Sequence, residues 1–217
     1  MDYLKTFVHF FQDGGIFMYP IVLILALGCS IALERYFYLR AVNRANRGIW
    51  NLVVSHLVKG DLNKAIDAAA KSNAVMGKML GYGLQRTRTA SQREEIETAM
   101  EEGLMEVMPG LEKRTHYLAI FANIATLLGL LGTIIGLIQA FTAVATASPA
   151  EKADMLSASI SVAMNTTAFG LMVAIPLLLV HALLQTKTTE LIDSLEMSAV
   201  KVLNMISDSQ ARKSATT

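Results

Sequence analysis

Two stretches hold the residue types and spacings that could handle an ion. Leu127 to Ala140, LLGLLGTIIGLIQA, carries Gly129, Gly132, Thr133 and Gly136; Ile160 to Pro176, ISVAMNTTAFGLMVAIP, carries Asn165, Thr166, Thr167, Gly170 and Ala174. A hydroxyl or carboxamide inside an apolar run needs a partner or water, and here three polar side chains follow one another. Gly132 and Gly136 stand at the GxxxG spacing that lets helix backbones approach closely. Thr126 and Thr133 recur two turns apart with Ala140 continuing their face, and Ser159, Ala163, Thr167, Gly170 and Ala174 make a second stripe of small and hydroxyl-bearing residues. Two readings stay open at this point: ordinary helix packing, or two stripes that line a polar path or pocket.

Acid and base chemistry is missing from both stretches. They lie in runs without Asp, Glu, Lys or Arg, Thr115 to Ala150 and Met155 to Thr186. Moving protons through a membrane uses an ionisable group at mid-depth, so a chain like this that conducts must borrow its titrating group from another polypeptide. Other chemistries fail on their own terms. GLLGTIIG lacks the Lys-Ser or Lys-Thr of a phosphate loop, and neither a dinucleotide fingerprint nor a metal-spaced histidine set is present. His9, His56, His116 and His181 are scattered, and Cys29, alone in an apolar run, excludes an intrachain disulfide and a thiolate metal site. No catalytic residue, no metal site and no cofactor is expected, and the chain is read as a non-enzyme. Six glutamates, Glu94, Glu95, Glu97, Glu101, Glu102 and Glu106, read as a solvated helix face, with basic residues of a neighbouring subunit as the alternative partner.

The elements that must position these residues follow from hydropathy. The 217 residues are 53% hydrophobic, and most of the charged side chains fall between residues 34 and 114. Three uncharged runs are long enough to cross a hydrocarbon layer of about 30 Å as helices. The fold class is therefore all-α, integral membrane, with three transmembrane helices extended into a cytoplasmic helical bundle. The expected divisions are an interfacial segment at 1–15, a first span at 16–33, a cytoplasmic insert at 34–114, a second span at 115–145, a short loop at 146–156, a third span at 157–186 and a helical tail at 187–217. Arg35, Arg40, Arg44 and Arg47 follow the first span whereas only Lys5 precedes it, which puts the N-terminus outside and the C-terminus in the cytoplasm. A net charge of +1 gives no basic surface for nucleic acid. Membrane lipids are the expected surroundings.

Within the insert, Asp61 is placed to cap DLNKAIDAAAKS, whose Leu62, Ile66 and Ala69 share a face. Ser91 and Glu94 spell a capping box before SQREEIETAMEEGLMEVM, where Ile96, Met100, Leu104 and Val107 recur at helical spacing. Pro109-Gly110 interrupts that pattern, and Pro109 and Pro176 are the two expected kinks. In the tail, Leu191, Leu195, Met197, Val202 and Met205 are expected mostly on one side.

At these residues the chain resembles the ExbB/TolQ/MotA family of ion-driven motor stators, closest to its ExbB and TolQ branch. GGIFMYPIVLILALGCSIALERYFYLR is similar to the family's first span with its Tyr-Pro start and Glu-Arg exit. ATLLGLLGTIIGLIQAF and TTAFGLMVAIP are similar to the signatures of the second and third. The resemblance implies a homopentamer around a dimeric, single-span ExbD-, TolR- or MotB-like subunit that supplies an aspartate. It implies that Thr133 and Thr167 face this aspartate, with Thr166 and Asn165 beside the pathway. Gly129, Gly132, Gly136, Gly170 and Ala174 then serve helix packing in the ring. The carried ion would be H+, with Na+ as the alternative, at the bacterial inner membrane. The work would pass to a TonB- or TolA-like envelope component. Stators of gliding or flagellar motility share this core, and a non-conducting scaffold is the alternative from another class. Many ExbB and TolQ proteins carry a Glu five residues before the third-span threonine; here that position is Val162.

Overall fold

The structure, a computed structural model, describes residues 14–90, 92–146, 148 and 150–214. Among these residues there are six helices and no strand: α1 (Met18–Val58), α2 (Leu62–Ala70), α3 (Val75–Arg86), α4 (Arg93–Glu112), α5 (Thr115–Thr146) and α6 (Lys152–Ser214). The interfacial segment expected at the start of the chain lies almost wholly outside the described residues. The helices fall into two units. An apolar unit joins the chain up to Glu34 with Arg114–Leu183, and a polar unit joins Arg35–Lys113 with the chain from Leu184 onward. Both α1 and α6 contribute to each.

In the apolar unit, three helices are long and apolar enough to cross a membrane, and only 22% to 33% of their apolar stretches is buried. Leu27, Leu127, Leu130, Ile134, Ile138, Leu179 and Leu183 all face outward. Such a surface suits hydrocarbon, where a helix satisfies its own backbone hydrogen bonds. The interior is built of Met18 and Ile21 from α1, Leu118, Ala122 and Ala125 from α5, and Ala163, Phe169, Val173, Ala174 and Leu177 from α6.

The polar unit has its own core. Ala65, Ile66 and Ala69 are buried along α2, with Leu62 half-buried, and Ile96, Ala99, Met100 and Gly103 are buried along α4. The helix α3 was not singled out by its sequence, because glycines interrupt its apolar pattern; it buries Met76, Met79, Leu80 and Leu84. Gly103 lets α4 approach α3, since a Cβ there would stand 3.0 Å from the Met79 carbonyl oxygen. In α6, Leu191, Leu195 and Val202 are buried as expected, whereas Met197 is exposed and Met205 half-buried.

One local expectation changes, a second falls partly outside the described residues, and α4 runs on past its proline. Asp61 precedes α2 but makes no side-chain cap. Its carboxylate takes Lys64 Nζ at 2.8 Å instead, and that hydrogen bond and charge hold its pKa below the ordinary value. Ser91, half of the expected capping box, lies outside the described residues, and the residue at the start of α4 is Gln92 with no side-chain cap. Pro109 does not end α4, which continues to Glu112. The break comes at Lys113 and Arg114, where Arg114 takes a left-handed φ of 69°. Pro lacks one N–H and leaves a single carbonyl unserved, but a left-handed residue redirects the chain outright.

The end of α4 is held by a residue that sequence reading treated only as a topology signal. Arg35 is 2% exposed. Its guanidinium donates to the carbonyls of Leu111 and Gly110, and it lies 4.7 Å from the centre of the Tyr38 ring. These carbonyls belong to the last turn of α4, where four acceptors have no helical donor and positive charge is favoured. Arg35→Met is expected to cost the polar unit about 2–3 kcal/mol, read as faster hydrogen exchange at the C-terminal turn of α4; unchanged exchange there would contradict this role.

Candidate functional site

The site starts from two glycines. At Gly129 of α5, an added Cβ would stand 3.2 Å from both the Thr166 carbonyl oxygen and the Thr167 Cα; at Gly170 of α6 it would stand 2.7 Å from the Ala125 carbonyl oxygen. These neighbours are backbone, so neither position tolerates even a methyl group without moving a helix. Farther along the same contact, an added Cβ at Gly132 would stand 2.5 Å from Thr166 Cγ2, and one at Gly136 would stand 2.9 Å from Ala163 Cβ. Ala163 and Ala174 of α6 are buried. Gly129, Gly132, Gly136 and Gly170, with Ala163, therefore pack α5 against α6 inside one chain.

This approach brings two hydroxyls together. Thr133 and Thr167 contact each other through their Oγ1 atoms. Both also reach one acceptor, the Gly129 carbonyl oxygen, Thr133 Oγ1 at 3.1 Å and Thr167 Oγ1 at 2.8 Å. Three oxygens thus converge with two hydroxyl protons for three contacts, because each threonine donates once. One proton must lie between the hydroxyls and one can go to the carbonyl. A carboxylate arriving at the pair would take the second, while a cation would meet three oxygen donors. Both side chains are half-buried, so the group is neither sealed nor open.

The other polar residues named from sequence part company here. Thr166 is 1% exposed, and its hydroxyl reaches the carbonyl oxygens of Gly14, at 2.6 Å, and Val162, at 2.9 Å. It anchors the segment before α1 to α6. Asn165 is half-buried and forms no hydrogen bond among the described residues. Val162 lies against Gly15, where an added Cβ would stand 3.3 Å from its Cγ1. Pro176 sits exposed inside α6. The contact from Gly14 to Thr166 escaped sequence reading; the Gly14-Gly15 pair before the first span was its only signal. Among the described residues no three His, Cys, Asp or Glu side chains are grouped to hold a metal.

A family model described as the MotA/TolQ/ExbB proton channel family matches residues 71–197. That stretch is more than half of the chain and contains both threonines and both glycines of the close contact. The chain belongs to the MotA/TolQ/ExbB proton channel family. It is 29% identical over 199 residues to a biopolymer transport protein ExbB homolog of Methanothermobacter thermautotrophicus, covering 91% of this chain and 69% of the relative. An ExbB-like biopolymer transport protein of Synechocystis is 30% identical over 189 residues, covering 84% of this chain and 72% of its own length. A biopolymer transport protein of Vibrio cholerae is 44% identical over 59 residues, 27% of this chain and 26% of its own. Together with the three apolar helices, membership makes the chain a multi-pass membrane protein of a proton channel family.

For this family member, Cys replacements at Thr133 and Thr167, with Cys29→Ser, are expected to form a disulfide within one copy. Adding Gly170→Leu is expected to cost about 1–3 kcal/mol of helix packing and to suppress the cross-link. Undiminished cross-linking in that variant would show that the close backbone contact does not set the pair.

Proposed function

We propose that the chain is one subunit of a homopentameric ring that forms an ion-driven motor of the ExbB and TolQ kind. The ring surrounds a dimeric single-span ExbD-, TolR- or MotB-like partner, whose aspartate supplies the ionisable group that the three spans lack. Thr133 and Thr167 face that aspartate. The single observation that supports this reading is the convergence of their hydroxyls with the Gly129 carbonyl in a unit whose long spans carry no carboxylate at mid-depth. A carboxylate moved into low dielectric becomes easier to protonate, while hydroxyl donors hold its charged form. The acid can then alternate between states as H+, or alternatively Na+, passes. Ion flow turns ring against dimer and transmits work to a TonB- or TolA-like envelope component. The setting is the bacterial inner membrane, with the N-terminus on the periplasmic side and the polar unit in the cytoplasm.

A second reading draws on the same geometry. The two hydroxyls already have each other and a carbonyl as partners, which is sufficient for a packing role in a non-conducting scaffold.

Ion flux into vesicles separates the two readings. The purified chain, alone and with a single-span ExbD-, TolR- or MotB-like partner, is given proton and sodium gradients separately. Flux is expected only with the partner, and is expected to vanish when the partner's aspartate becomes Asn or when Thr167 becomes Val. An intact complex that passes neither ion would contradict the motor reading.

A further inference from the structure

The polar unit holds a groove of about 620 Å³ between α1 and α6, with Met76 of α3 at one side. Its charged lining is Arg40, Arg47, Lys187 and Lys201 against one acid, Glu190. The cations are regularly placed. Arg40 and Arg47 are seven residues apart on α1, and Lys187 and Lys201 are fourteen apart on α6, so each pair lies along one helix face. Trp50 lines the same groove. Among the described residues Arg47, Lys187 and Lys201 form no ion pair, and all three are exposed. The lining thus carries an excess of positive charge, four cations against one acid, beside an aromatic ring.

The complementary surface is on α4, which carries seven glutamates and one arginine. Some of these acids are engaged within the chain: Glu95 lies 3.5 Å from Arg86, and Glu106 accepts from the Tyr82 hydroxyl. Glu94, Glu97 and Glu101 are exposed and form no ion pair among the described residues. They share one helix face, and Glu94 to Glu101 spans seven residues, about 10.5 Å of rise, as does Arg40 to Arg47. No residue of α4 lines the groove of its own chain.

We infer that the acidic face of α4 from one copy seats in the basic groove between α1 and α6 of the next copy. Groove and ridge are different surfaces of one subunit, so the contact is head-to-tail. Head-to-tail contacts propagate, and close into a ring where the rotation between copies closes, whereas a self-complementary patch stops at a dimer. Every copy carries both surfaces at matching spacing, which favours a second copy over a foreign acidic protein. The inference rests on the ring reading above and names the contact that builds it.

Charge reversal tests it in the full chain, reconstituted in nanodiscs and sized by native mass spectrometry. Glu97→Lys with Glu101→Lys, and separately Arg47→Glu with Lys201→Glu, are each expected to lower the assembled fraction about tenfold. A chain bearing all four changes is expected to regain it. In differently tagged copies, Glu97→Cys in one and Lys201→Cys in the other are expected to cross-link between copies, less so as salt screens the pairs. An assembled wild type whose reversed variants assemble equally well, with no cross-link between the cysteine-bearing copies, overturns the groove contact and leaves the ring reading standing. A wild type that remains a single copy removes both. Reversal that leaves the ring whole but releases a co-purifying acidic protein assigns the groove to that partner and overturns the inference.

Discussion

The structure depends on the close backbone approach of α5 and α6 at Gly129 and Gly170. Elsewhere in the apolar unit the side chains set the helix spacing, but here backbone meets backbone, and a methyl group at Gly170 would stand 2.7 Å from a carbonyl oxygen. Within a membrane no apolar driving force separates helix contact from lipid contact, so small residues and polar bonds decide where helices meet. The glycines set the distance and the threonines use it. Because the Gly129 carbonyl faces α6, it accepts from Thr167 across the contact as well as from Thr133 on its own helix.

That geometry connects packing to function. A hydroxyl pair sharing two protons among three oxygens can release one donor without leaving a buried group bare, because the pair still satisfies itself. In the proposed ring this is what an incoming carboxylate needs: a donor that costs little to redirect. Val162 fits the same logic. It packs against Gly15, and the third span brings no carboxylate near the pair, so in the proposed ring the partner's aspartate would titrate beside hydroxyls alone.

Much of this was legible in the sequence, for identifiable reasons. Charge-free runs and glycine spacing are local signals, and they placed the three apolar helices and the two stripes. What escaped was decided by contacts distant in the chain. Thr167 was placed on the small-residue stripe with Thr166 beside it, but the partner of Thr166 could not be read: adjacent helical residues point about 100° apart, and Thr166 bonds Gly14, 152 residues away in the chain, while Thr167 meets Thr133. Arg35 reads as a positive charge beside a span, but its partners lie 75 and 76 residues away at the end of α4. The α3 helix was hidden because Gly77, Gly81 and Gly83 dilute its apolar pattern, and these glycines are buried with its core. The turn out of α4 gave no sequence signal, because it comes at Arg114, whose left-handed backbone no residue type at that position announces, whereas Pro109 stays inside the helix and removes one hydrogen bond.

The central claim is that Thr133 and Thr167 hold the charged form of a carboxylate supplied by another chain. The most direct measurement is an infrared titration of the partner's isotope-labelled aspartate in the assembled complex, with and without Thr133→Val and Thr167→Val together. If the hydroxyls donate to the carboxylate, their removal raises the pH midpoint at which the protonated carboxyl band disappears. An identical midpoint in both complexes would mean that the pair serves helix packing alone.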